Sequence, residues 1–207
     1  MSIRKSRPES GARRIRRAAE ASRENILNAA EALLVDQGPL ALKLAEVAAA
    51  ARVANATVLH HFGSIDGLHV ALMERMIDQL VANVLAAVAA HDKAEPPEAA
   101  LQALFDAFET RGAARLAAWL ELTGEWRRLT HVKDAVHKIV AQRAERGDVS
   151  EALAADMVLI RAALAMGVGL FGRSLAELIG LPPGRTRQLA AALLRAQAAA
   201  SKPKGEA

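Results

Sequence analysis

Apolar residues recur along most of the chain at three- and four-residue steps, which is the spacing of one face of an α-helix. Between residues 44 and 62 this spacing gives two short apolar stripes, with a break at 52–54. The first stripe is Leu44, Val47, Ala48 and Ala51, and the second is Val58 and Phe62. Two helices of about two turns each, joined by a turn of about three residues, have the dimensions of a helix-turn-helix. Nowhere do β-branched residues alternate as a strand requires, so the sequence predicts an all-α protein.

A helix is predicted on each side of this motif. Ser22 is a good N-cap for the first, and Gly38-Pro39 ends it. Its inward stripe is Ile26, Ala30, Leu33 and Leu34. Ser64 is expected to cap a long fourth helix that runs to about residue 90, with a break at 91–97. The face of that helix is formed by Leu68, Leu72, Met76, Leu80, Val84 and Val88.

Further helices are predicted throughout the rest of the chain. Their apolar stripes are Leu101, Leu104, Phe105 and Phe108; Leu116, Trp119, Leu120 and Leu122; Val132, Val136, Ile139 and Val140; a long apolar helix over 150–179; and Leu189, Leu193 and Leu194. The two last helices are more apolar than a monomer surface tolerates, so we expect them to form a four-helix interface between two copies. We divide the chain into a disordered basic arm (1–21), a helix-turn-helix domain (22–68), a second helical domain that includes the dimerisation helices (69–200) and a disordered tail (201–207).

Composition narrows the functional classes. Hydrophobic residues make up 52% of the chain but aromatic residues only 3%, so the core is built from Ala, Leu and Val. The absence of cysteine excludes disulfides, thiolate metal sites and cysteine nucleophiles, and it fits a cytoplasmic location. We expect a soluble protein, because the N-terminus lacks the apolar region of a signal peptide and the smoothest apolar run, 162–172, is shorter than the roughly 20 residues that span a bilayer.

Basic charge is concentrated at the N-terminus. Residues 1–23 hold eight basic and two acidic residues, a surplus of +6, whereas the whole chain carries +4. Such a run is often only a solvated tail. It also fits an arm that contacts DNA phosphates or enters the minor groove, as in other helix-turn-helix proteins. Arg13, Arg14, Arg16 and Arg17 are the candidate contacts in the second interpretation.

The sequence TVLHHF at 57–62, followed by GSIDGL and preceded by AEVAAAARV, resembles the TetR-like family of bacterial transcriptional regulators. The resemblance covers about residues 22–80. It implies an all-helical homodimer with an N-terminal three-helix DNA-reading domain and a ligand-sensing domain behind it. It also implies that the protein represses transcription from an operator and that a small molecule relieves this repression. The expected recognition helix runs from about Asn55 to Phe62, with Thr57 and His60 toward the DNA and Val58 and Phe62 inward. The DNA contacts that we expect, beyond the four arginines of the arm, are Lys43, Asn55, Ala56, Thr57, His60 and His61.

The chain departs from the family pattern at several positions that usually cap helices or hold phosphates. Leu42 and Ala54 stand where the family has hydroxyl caps, and Arg52 stands where it has a turn glycine. Leu59 replaces a phosphate-contacting tyrosine, while Asn55 and Ile65 replace lysines. We therefore expect other basic groups, above all those of the arm, to supply the missing charge.

The candidate effector site lies in the second domain. Both tryptophans and most phenylalanines are there, which suggests an apolar pocket, although aromatic residues at helical spacing are usually core. The candidate ligand residues are Phe105, Phe108, Trp119 and Trp126, with His131 and Arg161 as orienting polar groups.

Other chemistries fit less well. The G-x-G-x-x-G string at 167–172 lacks the strand that a dinucleotide site needs, so we interpret it as a close helix approach. His60 and His61 point about 100° apart on a helix, which disfavours a metal site. No cofactor, and no catalytic motif such as E-x-x-H or a phosphate loop, is indicated, so an enzyme is not expected. The alternative to a DNA-binding regulator is a helical interaction protein or enzyme-like bundle whose helix-turn-helix has lost DNA binding.

Overall fold

Ten α-helices make up most of this computed structural model, which describes residues 9–89, 98–146 and 150–200, and that part of the chain contains no strand. The predicted all-α class is therefore confirmed. The helices are α1 (Glu9–Gln37), α2 (Leu44–Ala51), α3 (Asn55–Phe62), α4 (Ile65–Ala89), α5 (Glu98–Phe105), α6 (Ala113–Thr123), α7 (Thr130–Arg146), α8 (Glu151–Gly167), α9 (Arg173–Ile179) and α10 (Arg185–Ala200). The chain divides into two compact units, Met1–Leu68 and His69–Ala207.

In the first unit, α1 packs on both α2 and α3 around a small aliphatic core. The predicted inward residues Ile26, Ala30 and Leu34 are fully buried, and so are Val47 and Val58. α1 ends at Gln37, and a short 3₁₀ turn, Pro39–Ala41, follows Gly38. The helical spacing in the sequence thus identified this core correctly.

α1 begins thirteen residues earlier than the N-cap that we expected at Ser22, so residues 9–21 are helical rather than disordered. The side chains from Arg13 to Glu20 are all exposed, which is why this stretch shows no apolar periodicity. Its helical form rests on good helix formers such as alanine and arginine, and on an Arg16–Glu20 ion pair of 2.8 Å one turn apart. The part of the expected arm at 1–8 lies outside the described residues.

In the second unit, α8 contacts α5, α6, α7 and α10. Ser150 is its N-cap, and the Ser150 hydroxyl accepts a hydrogen bond of 3.3 Å from the Leu153 N–H. α8 continues through a π-helical segment, Val168–Gly172, into α9. A second π-helical segment, Asp106–Thr110, joins the end of α5. The single long helix predicted for 150–179 is therefore interrupted by a wider turn that the apolar pattern does not reveal.

The two π-helical segments pack directly against each other, and Gly169 lies at their contact. A Cβ atom on Gly169 would lie 2.6 Å from the Phe108 carbonyl oxygen and 2.7 Å from the Ala114 Cβ, both well inside van der Waals contact. The glycine string at 167–172 therefore marks a close approach, as the sequence suggested. The Gly172 carbonyl, at the end of the segment, accepts a hydrogen bond of 2.8 Å from the Thr186 hydroxyl of α10.

Ion pairs attach α10 to the α5 region. Arg187 contacts Asp106 at 2.8 Å and Glu109 at 3.5 Å, and its guanidinium lies over the Phe105 ring. Arg195 donates two hydrogen bonds, of 2.9 and 2.8 Å, to the Glu98 carboxylate. This bidentate bond to Arg195 lowers the pKa of Glu98 from its usual value.

Several apolar residues that we assigned to inward stripes are exposed instead. Leu122 is 88% exposed, and Leu189 and Leu193 of α10 are 52% and 62% exposed, whereas Leu194 is buried. Periodicity alone cannot separate a core-facing stripe from an apolar face that remains open in a single chain. The helix break that we predicted at 91–97 and the tail at 201–207 lie outside the described residues.

Candidate nucleic-acid interface

The turn between α2 and α3 determines which face α3 presents. Arg52 ends α2 in the left-handed conformation, with φ 57° and ψ 43°, and its N–H bonds to the Ala49 carbonyl at 3.1 Å. The N–H of Val53 bonds back to the Ala48 carbonyl at 3.0 Å, and the Asn25 side chain of α1 donates to the Ala51 carbonyl at 2.8 Å. These bonds satisfy carbonyls at the helix end and fix the direction in which the chain enters α3.

The exposed face of α3 carries four side chains: Asn55, Ala56, Leu59 and His60. Val58 on the opposite face is fully buried, and Thr57 lies half-buried at the border between the two faces. Val58 is thus inward and His60 outward, as predicted, whereas Thr57 and Phe62, predicted outward and inward, are both half-buried. Because no lysine, arginine or carboxylate lies on this face, it offers amide, imidazole and aliphatic groups to a partner.

His61, which we expected among the DNA contacts, lies against α1. Its Nε2 shares a hydrogen bond of 3.1 Å with the Ser22 hydroxyl, and its ring contacts the His60 ring at 5.5 Å between centroids. Next to it, the Arg23 guanidinium lies 5.1 Å from the centre of the Phe62 ring. Burial, the neighbouring His60 and the Arg23 charge all lower the pKa of His61 from its usual 6.5. His61 therefore helps to hold α3 on α1, and Ser22 serves that contact rather than a helix cap.

Basic side chains lie on two parts of the first unit. Arg13, Arg14 and Arg17 are exposed on the N-terminal turns of α1, where Arg16 is paired with Glu20. Lys43 is exposed and is the N-cap residue of α2, although its side chain makes no cap bond. The sequence had placed this cap at Leu42, which is buried.

Arg52 is exposed at the turn, at the position where the family pattern has a glycine. It has the single positive φ angle of a non-glycine residue in the described part of the chain. A left-handed conformation costs a residue with a Cβ roughly 1–2 kcal/mol. The charge could be read from the sequence, but its placement beside α3 required the helix ends to be known.

The six side chains expected to bind an effector do not share one environment. Phe105 and Phe108 are buried in the core, whereas Trp126 is 45% exposed and His131 is exposed. Trp119 is half-buried, and its ring meets the buried His69 ring at 4.2 Å between centroids. Arg161 is half-buried on α8.

A cleft of about 460 Å³ opens in the second unit, and none of those six residues lines it. Asp106 and Ala107, which do line it, lie between Phe105 and Phe108 in sequence, so the cleft adjoins the predicted aromatic pair. Four of its lining side chains are polar: Asn83, Gln102, Asp106 and Arg111; the others are Leu80, Ala86, Ala87, Ala99, Ala103 and Ala107. Within the described ranges, no group of three or more His, Asp or Glu side chains could hold a metal ion.

The lowered pKa of His61 predicts a pH-dependent stability. Because folding lowers the pKa, the unfolded chain binds the proton more readily, and stability is full above 6.5 and falls as the pH drops from 6.5 toward the folded pKa. We expect the loss to shrink in His61→Gln, which keeps a polar partner for Ser22 but does not titrate between neutral pH and about pH 5. Thermal unfolding followed by circular dichroism across this range measures the effect.

The control for that experiment is His137→Gln, which removes an exposed histidine of the second unit. Its stability should follow the wild-type pH dependence. An equal loss of stability in wild type and His61→Gln would contradict the role given to His61.

Comparisons with known proteins agree with this architecture. Residues 26–72 match the family model described as "Bacterial regulatory proteins, tetR family". A comparison with curated proteins finds no significant match.

Three solved structures share the fold along most of their length. The transcriptional regulator RHA1_ro04179 from Rhodococcus sp. Rha1 is 21% identical, with a TM-score of 0.59, 86% of this chain covered and 95% of that chain. The protein SCO7518 from Streptomyces coelicolor A3(2) is 18% identical, with a TM-score of 0.57 and coverage of 84% and 98%. The multidrug binding protein EbrR, in complex with imidazole, is 20% identical, with a TM-score of 0.56 and coverage of 83% and 93%.

The family match runs from the middle of α1 through the α2–α3 turn into the start of α4, and members of that family are DNA-binding transcription factors without enzymatic activity. The solved structures show that the helical second unit also has the fold of such regulators. Over residues 26–72 the chain thus matches the tetR family of bacterial regulatory proteins, and along most of its length it has a fold that solved regulators share.

Proposed function

We propose that the protein is a homodimeric repressor that binds double-stranded operator DNA through α3 and leaves it when a small molecule binds the second unit. The observation that carries the DNA-binding part is the exposed face of α3, fixed by the hydrogen-bonded turn before it. In helix-turn-helix proteins the second helix lies in the major groove and reads base edges. Asn55, Thr57 and His60 are the polar groups available for this, and Ala56 permits a close approach.

The N-terminal turns of α1 are proposed to contact the DNA backbone. Arg13, Arg14 and Arg17 form an exposed basic surface, and Arg16 joins it if its pair with Glu20 opens. Since these residues are helical, their spacing is defined rather than that of a free arm. Lys43 at the start of α2 is a further candidate for a phosphate contact. Operator DNA lies in the bacterial cytoplasm, so this role also implies a cytoplasmic location.

Base contacts predict a loss of DNA affinity without a loss of stability. Replacing Asn55 or His60 by Ala should weaken operator binding by about 5- to 150-fold, since a base contact contributes roughly 1–3 kcal/mol. The thermal midpoint should stay near that of wild type, because both side chains are exposed. Gel-shift titration on a duplex selected by the wild-type protein from a random-sequence pool measures this, with exposed His137→Ala as the matched control. Unchanged affinity in both variants would refute the assignment of α3 as the reading helix.

Dimerisation is proposed through the exposed apolar surface of α8, α9 and α10. Its large members are Leu159, Phe171, Leu175, Leu178, Ile179, Leu189 and Leu193. By length and composition, 151–179 would also suit a membrane span, with a mean hydropathy of 1.8 and 22% of the window buried. However, α8 packs against four other helices of its own unit, and α10 also has exposed leucines, Leu189 and Leu193, so we favour a second copy of the chain over lipid.

Charges placed on this surface should separate the two copies. Leu178 is 83% exposed in one chain, and Leu178→Glu would bury a carboxylate in the proposed interface, so the dimer should dissociate at micromolar concentration. Sedimentation velocity measures the change in mass. Leu122→Glu, at a leucine that is 88% exposed on α6, is the matched control and should remain dimeric. A monomeric wild-type protein would rule out the proposed assembly.

The effector is proposed to bind the cleft beside Phe105 and Phe108. Its lining combines alanines with Asn83, Gln102, Asp106 and Arg111, so a small molecule with both apolar and polar groups fits better than the purely apolar one that the aromatic composition suggested. α4 supplies one wall of the cleft and belongs to both units, so a shift of this helix could carry the signal. Trp119, Arg161, Trp126 and His131 lie outside the lining, so the proposed site does not include them.

Release by an effector requires reciprocal coupling. If the effector changes operator affinity by 1–3 kcal/mol, or about 5- to 150-fold, operator DNA must weaken effector binding by the same factor. A panel of amphipathic metabolites, titrated by tryptophan fluorescence with and without operator, measures this factor. Gln102→Leu should weaken binding of a hit, and Gln188→Leu, outside the cleft, should not. Equal affinities with and without DNA would show that the hit is not an inducer.

A further inference from the structure

Arg52 is an exposed cation beside the proposed reading helix, with no assigned role. Between Gly38 and Leu68 the sequence has one lysine and one arginine, Lys43 and Arg52. Among the described residues, none forms an ion pair or side-chain hydrogen bond with the Arg52 guanidinium, and the side chain is exposed. It is therefore available to a partner from outside the chain.

The position of Arg52 matches a need of the neighbouring helix. The exposed face of α3 has no lysine or arginine, and Leu59 on that face cannot bond to a phosphate. In a helix-turn-helix, the N-terminal end of the second helix enters the groove, and the DNA backbone passes beside that end. Arg52 lies three residues before Asn55, the first residue of α3, and a guanidinium can bind two phosphate oxygens at once.

The backbone conformation at Arg52 adds a second observation. The bonds of Val53 to Ala48 and of Asn25 to Ala51 hold this residue left-handed, a conformation that glycine adopts without strain. An arginine here makes the fold less stable than a glycine would, and its side chain contributes no bond to the described structure in return. Strain of this kind is found where a residue serves a function outside the fold.

We propose that Arg52 binds a DNA backbone phosphate at the end of the groove that α3 enters, and so supplies from the turn a contact that the face of α3 lacks. This inference rests on the proposed DNA binding and adds to it a contact residue and its chemistry. The phosphate contact positions the protein but reads no sequence, so its loss should weaken binding to all duplexes alike.

Three variants of Arg52 separate charge from strain. Arg52→Asn removes the charge but tolerates the left-handed conformation, Arg52→Gly removes both charge and strain, and Arg52→Lys keeps the charge. The readout is the slope of log affinity against log salt on a duplex selected by the wild-type protein. Each lost phosphate contact should reduce the slope by about one unit, so Asn and Gly should reduce it by about two units for a dimer on two half-sites. Arg52→Lys should keep the slope.

Stability provides the second readout. The thermal midpoint of Arg52→Gly should rise above that of wild type while its DNA affinity falls, a combination that unfolding cannot produce. The control Lys138→Asn removes the same charge from an exposed position of the second unit and should leave the slope unchanged.

Three outcomes would overturn the inference. A wild-type slope in Arg52→Asn would show that Arg52 holds no phosphate, although DNA binding itself would stand. An equal loss of slope in Lys138→Asn would show that only net charge matters. A wild-type protein that binds no duplex would overturn the proposed function together with this inference.

Discussion

The orientation of α3 depends on the turn that follows α2. Within the three residues of that turn the chain must change direction and satisfy the carbonyls at the end of α2, and it must then start α3 with Val58 inward. The Val53 N–H and the Asn25 side chain supply those bonds, and the left-handed conformation of Arg52 supplies the reversal. If this turn were different, α3 would rotate about its axis, and the side chains that it exposes would change. The identity of the exposed face is therefore a result of backbone hydrogen bonding as much as of side-chain choice.

In the second unit, close packing of the helices depends on small residues. In a chain with few aromatic residues, alanine and glycine let helices approach until backbone meets side chain, as Gly169 does with Phe108 and Ala114. Such contacts bury little area per residue, so dispersion between closely packed groups must carry more of the stability. Ion pairs of Arg187 and Arg195 also attach α10 to the α5 region. Part of that attachment is exposed, and it should weaken as salt concentration rises.

The sequence predicted the features that depend on local pattern. The buried stripes at Ile26, Ala30, Leu34 and Val58 follow from helical spacing, and the end of α1 follows from Gly38-Pro39. Features that depend on contacts distant in sequence were missed or misassigned. His61 was assigned to the DNA contacts because its hydrogen bond to Ser22, a residue far away in sequence, leaves no local pattern. The helical start of α1 was missed because an exposed helix has no apolar stripe. The expected ligand residues were grouped by composition, which says nothing about which side chains face one cleft.

The wider turn at Val168–Gly172 has a consequence for how this chain can vary in length. A π-helical turn holds about one residue more than an α-helical turn, and each residue rotates an α-helix by about 100°. Deleting one residue in this segment could restore a regular helix, but it would turn α9 by that angle relative to α8. Leu175, Leu178 and Ile179 would then face about 100° away from the direction in which they are now exposed. A substitution along α8 or α9 thus changes one side chain, whereas a change in residue number would realign a whole surface.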